Sequence, residues 1–118
     1  MNHNLKFAIL RYLPNVISDA SVAFGILGRE VGTGTFADAK FLHAWEPILR
    51  VDPTADVEVL SCWITEIQNE WPDIQKRTIL LEMFLDTFSN CIQVQEISCL
   101  TSDPKTEMNI LAHRYLGT

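Results

Sequence analysis

The chain has few of the residues that announce chemistry. It holds three cysteines, Cys62, Cys91 and Cys99, widely spaced and with no CxxC pair. An odd, scattered set excludes a disulfide framework and a zinc ribbon and fits reduced thiols packed as small hydrophobes. The three histidines, His3, His43 and His113, show no HxH, HxxxH or HExxH spacing, so no metal-ligand set can be read. Basic residues are scarce: nine Lys and Arg against 15 Asp and Glu, for a net charge of −6. Only Lys76 and Arg77 are adjacent. A nucleic-acid binder needs a clustered basic surface to displace counterions, so DNA and RNA are not expected partners. An acidic small protein is better matched to a basic protein surface. No apolar run reaches the length of roughly 18 residues that spans a bilayer, so no membrane partner is expected. Met1-Asn2-His3-Asn4 lacks the basic stretch and apolar core of a signal peptide, and the expected location is the cytoplasm.

The 118 residues are 47% apolar and 20% charged, enough for one domain over 1–118 with a core of its own. Hydrophobic periodicity predicts an α+β fold with a mainly antiparallel sheet of about four strands and about three helices packed on it. Residues 5–13 read as a strand, with Phe7, Ile9 and Leu13 on one face and Ala8, Leu10 and Tyr12 on the other. Apolar on both faces, it is expected at the centre of the sheet or at a subunit contact. A second strand over 20–27 places Ala20, Val22, Phe24 and Ile26 on a bulky face, with Ser21, Ala23, Gly25 and Leu27 opposite. A third, about 35–42, carries Asp38 and Lys40 and suits a wetted face or an edge. The three are expected to form an antiparallel meander.

Asp52-Pro53 reads as a helix start, an acceptor followed by proline in the first turn. Val59, Leu60, Trp63, Ile64, Ile67 and Trp71 then recur at helical spacing, with Glu58, Glu66 and Glu70 falling away from them, until Pro72 stops the helix. A second helix is predicted over 74–88 with Ile79, Leu80, Met83, Phe84 and Phe88 inward. Residues 91–97 read as a fourth strand. Asp103-Pro104 repeats the start signal, and Met108, Leu111, Ala112 and Tyr115 form the buried face of a last helix.

Each motif has a plain reading beside a functional one. Gly28, Gly32 and Gly34 lack the Lys-Ser or Lys-Thr of a phosphate loop and lie between strands, as a hairpin connection does. Glu66 and Glu70 lie one helical turn apart, as a solvated acidic face would place them. Ser61, Cys62, His43 and His113 supply no nucleophile–base pair, so no catalytic residue, cofactor or metal is assigned. Two residues stand out. Arg11 shares its strand face with Phe7, Ile9 and Leu13, where a charge costs several kcal/mol unless paired. Asp38 and Asp19 are its possible internal partners, and an anion contact in a pocket or interface is the other reading. Trp45, beside Pro47 in a connecting segment, is the aromatic least explained by a core and a candidate binding anchor.

Phe7 to Pro14, Val22-Ala23-Phe24-Gly25-Ile26-Leu27, Asp52-Pro53-Thr54-Ala55-Asp56, Asn90-Cys91-Ile92-Gln93-Val94 and Thr101-Ser102-Asp103-Pro104 together resemble the bacterial family called domain of unknown function 3037. The order and spacing of these segments carry the resemblance, which covers most of the chain. It implies a small partner protein, a regulator or antitoxin component, for a HipA-like kinase of a toxin–antitoxin pair. The family often places a glutamate and an asparagine where this chain has Ala20 and Ala23, so an activity served by those polar residues would be lost here. The leading expectation is therefore a non-enzymatic interaction module that binds another protein. The alternatives are a small enzyme or nucleotide- or anion-binding protein with its site around Arg11, and a homo-oligomer, specifically a homodimer joined through its first strand or an edge strand.

Overall fold

A computed structural model describes residues 2–13, 21–32, 35–88 and 91–117, the side chain of Ile74 excepted. Strands β1 (His3–Tyr12), β2 (Val22–Glu30) and β3 (Ala37–Phe41) are followed by helices α1 (Glu46–Val51), α2 (Val57–Glu70) and α3 (Ile74–Thr87). Strand β4 (Ile92–Thr101) and helix α4 (Pro104–Leu116) complete the order. Pro14, Asp19, Ala20, Gly34 and Asn90 lie outside the described residues.

The four strands form one antiparallel sheet in the order β3-β2-β1-β4. The first three make the expected meander. The fourth returns beside the first after the three helices, which is Greek-key order. Fold class and strand number match the periodicity, and α1 is an additional short helix. Its six residues start at Glu46-Pro47 and close with an Arg50–Glu46 ion pair at 2.6 Å, too brief a segment to show a helical period.

Both faces of the sheet are covered, as the two-sided β1 requires. Leu5, Phe7 and Ile9 of β1 and Ile26 of β2 pack against Met108, Leu111, Ala112 and Leu116 of α4. On the opposite face Leu10, Tyr12, Phe24, Leu27 and Phe41 meet Ile48, Leu60, Ile64, Ile67, Trp71 and Phe84 of the other helices. β1 is paired on both edges within the sheet, so its backbone offers no free edge for strand pairing with a second copy; among the described strands the outer edges belong to β3 and β4.

Strict alternation fails at one point in β2. Leu10 pairs with Gly25 but Arg11 pairs with Ala23, which leaves Phe24 as an extra residue in a bulge. The bulge turns Phe24 toward Leu10 and Leu27, while Ile26 faces α4. The expected bulky face of Val22, Phe24 and Ile26 is thereby split between the two cores. Gly25 makes room for Phe41, whose ring would stand 2.5 Å from a Cβ at that position.

The starts of α2, α3 and α4 follow side-chain capping. Asp56, Asp73 and Asp103 accept from backbone N–H groups at Val59, Gln75 and Thr106. The expected start at Asp52 is corrected: Asp52 closes α1, and α2 begins after Asp56. The Asp52 carboxylate is already engaged by the N–H and hydroxyl of Thr54 and by Tyr12. No helix among the described residues is long and apolar enough to cross a membrane.

Candidate functional site

Arg11 lies on the α4 face, as alternation places it, but it is half-buried rather than enclosed. Its Nε and Nη2 donate to Oε1 of Gln95 on β4, at 3.3 and 3.2 Å. Its guanidinium sits 5.8 Å from the centre of the Tyr115 ring of α4. Among the described residues it has no carboxylate partner. Asp38, one of the two expected, is on β3, two strands away, and pairs loosely with Lys40 at 3.9 Å. Asp19 is outside the described residues. A neutral amide and an aromatic face therefore serve the charge, and water reaches the rest of it.

Trp45 is half-buried against the second of the two cores, and its carbonyl accepts from the N–H groups of Ile48 and Leu49 at the start of α1. Its ring is partly open to solvent, but its placement serves the helix start. Trp63 meets Phe84 with ring centroids 5.9 Å apart. Trp71 is buried, and its indole N–H donates to the Gly28 carbonyl at 3.0 Å, tying the end of α2 to β2.

Tyr12 and Asp52 form the most perturbed titratable pair. The phenol donates to Asp52 at 2.7 Å. Burial, then that hydrogen bond, push the Tyr12 pKa well above its ordinary value. The same bond, followed by those from Thr54, holds the Asp52 carboxyl below the usual carboxylate range. The pair locks the end of β1 to the turn between α1 and α2. Among the described residues no three His, Cys, Asp or Glu side chains cluster as a metal set.

An apolar groove lies instead on the outside of α2 and α3. These helices run antiparallel, as the Trp63–Phe84 contact and the Lys76–Glu70 ion pair at 3.1 Å place both ends. The sequence pattern assigns Ile79 and Met83 to the core. They point outward, 61% and 54% exposed. The side of α3 facing the sheet carries Leu81, Phe84, Leu85 and Phe88. Between the two helices a groove of about 300 Å³ is lined by Ile79, Met83 and Leu80, with Glu66, Glu70, Gln75 and Lys76 around it. Val59, seven residues before Glu66 and so on the same helical face, is exposed where burial was expected. α2 carries Glu58, Glu66 and Glu70 and no basic residue. The one cation of the rim, Lys76, is held by Glu70, which keeps its ammonium pKa above the usual value. The groove is thus apolar at its base and acidic at its border.

The signal for this surface was present in the composition of α3. Ile79, Leu80, Leu81, Met83, Phe84 and Leu85 occupy more of the helix circumference than one sheet face covers, so some had to remain outside.

The chain was compared with known proteins: no family model matches it, and no curated protein and no solved structure matches it either.

Proposed function

We propose that this chain is a non-enzymatic protein-interaction module that receives a basic amphipathic helix of a partner protein in the α2–α3 groove. One observation carries the reading: Ile79 and Met83 are turned away from the core into a groove bordered by glutamates. Exposed apolar side chains ringed by charge suit a helix that presents apolar residues at i, i+3 and i+7 with Lys or Arg beside them. Burial of each of the two side chains contributes roughly 1.5–3 kcal/mol to such a complex. Methionine adapts its shape to the partner surface at little cost.

The HipA-like kinase suggested by the family resemblance is the first partner to test. The proposed setting is the cytoplasm, supported by three free thiols of which Cys62 is exposed. The test uses the chain as bait in native cells, beside an Ile79→Ser/Met83→Ser variant, with mass spectrometry of what each recovers. The expected result is a partner recovered with the wild type and lost with the variant. Recovery of the same partners by both would contradict the assignment of the groove.

A further inference from the structure

Three of the nine basic residues converge on the other side of α3. Lys6 of β1 stands directly across from Arg29 of β2 in the strand register. Like charges opposed in this way repel and destabilise the pair. Arg77 reaches the same cleft from α3. The cleft encloses about 280 Å³ between the sheet and α3, and an adjoining hollow of about 270 Å³ shares Arg29 and Arg77 with it.

Arg77 is held in place. Its Nε donates to the Trp71 carbonyl at 2.9 Å, and its guanidinium lies 5.0 Å from the centre of the Trp71 ring. Burial, and then the charge of Arg29, push its pKa down from the usual arginine value. An arginine keeps its proton at any ordinary pH, so the repulsion cannot be relieved by deprotonation. Among the described residues none of Lys6, Arg29 and Arg77 forms an ion pair. Glu82 and Glu96 line the cleft without pairing to any of the three. In a chain of net charge −6, three unpaired cations in one concavity are a concentration that the fold holds at a cost.

We propose that this cleft is a binding site for one compact oxyanion group, a phosphate or a carboxylate, held by Lys6, Arg29 and Arg77. With Nε of Arg77 committed to Trp71, its terminal nitrogens are left to donate. A guanidinium offers two parallel donors to a pair of oxygens, and the lysine ammonium adds a third charge-assisted contact. The small volume and the two carboxylates make the cleft unsuited to a polyanion such as a nucleic-acid backbone. The site shares no lining residue with the α2–α3 groove and stands independently of it.

The test is a titration of the full chain with inorganic phosphate, and separately with acetate, at constant ionic strength against chloride. Binding is followed by NMR at the Arg77 Nε–H and the Trp71 indole N–H. Saturable shifts that chloride does not produce are expected, and the tighter of the two oxyanions names the chemical source. Lys6→Gln is expected to weaken that binding about tenfold, the effect of one lost charge-assisted contact. The same variant should raise the melting temperature of the free protein, because it removes the repulsion with Arg29. Arg50→Gln, which alters an exposed cation on α1, should leave the affinity unchanged. Shifts that grow without saturating, or a Lys6→Gln variant that binds as tightly as the wild type, would overturn the site.

Discussion

Tyr12 and Asp52 show how one hydrogen bond sets a pH response. Asp52 has its pKa lowered in the fold, so its contribution is present above the unfolded value of 3.8 and is lost as pH falls through the lower folded value. Tyr12 has its pKa raised, so its contribution is present below 10.0 and is lost as pH rises through the higher folded value. Tyr12→Phe should cost about 1 kcal/mol at neutral pH, the net value of one such bond, and should flatten both limbs. Denaturant unfolding across a pH series measures this. Arg11 responds differently. A buried Arg–carboxylate pair would cost roughly 3–5 kcal/mol to break. The partly exposed contacts to Gln95 and Tyr115 predict a loss of about 1 kcal/mol or less for Arg11→Met. Equilibrium unfolding of that variant decides between the two values. The residue itself was conspicuous in the sequence. Its partner was not, because Gln95 lies 84 positions away on a strand whose register only the fold sets.

At the scale of elements, the strands, the α4 start and the two-sided character of β1 were legible because each rests on a local pattern. Alternation marks a strand, and Asp followed by Pro marks a first turn. Asp103→Ala should therefore lower stability through the lost cap at Thr106, readable as a downward shift of the unfolding midpoint. Three features were not legible. The bulge at Phe24 moves one ring to the other face, and nothing in the local pattern of Val22 to Leu27 marks an inserted residue. The Asp52-Pro53 signal failed because a competing turn with Thr54 and the bond from Tyr12 had already taken the carboxylate. The outward turn of Ile79 and Met83 escaped because α3 is apolar on more than one side, so periodicity fixes its helical character but not its rotation. Gly25 offers a test of the bulged region. An added Cβ would meet the Phe41 ring at 2.5 and 2.6 Å, and that ring is itself buried in the core. Gly25→Ala should destabilise by roughly 1–3 kcal/mol, as overpacking does, measured by thermal unfolding.

The whole molecule is a sheet between two helical layers, which differ in how much apolar surface they leave outside. α4 buries Met108, Leu111, Ala112 and Leu116 against the sheet. On the other side α2 and α3 cover the sheet and still present apolar side chains outward, over glutamates from α2. Net negative charge favours a basic partner at long range, and in the proposed complex the groove would supply the short-range contact. Sequence composition indicated the charge preference, but the groove required knowing how two helices sit against each other. The central claim is that Ile79 and Met83 serve recognition rather than the core. Calorimetric titration with a synthetic helix, leucine at i, i+3 and i+7 and lysine elsewhere, tests it on the wild type and on Ile79→Ser/Met83→Ser. The account predicts that the double variant melts within a few degrees of the wild type, since surface changes alter stability by about 0.5 kcal/mol or less, and binds the helix at least about tenfold more weakly. A variant that loses cooperative unfolding, or one that binds the helix as the wild type does, would contradict it.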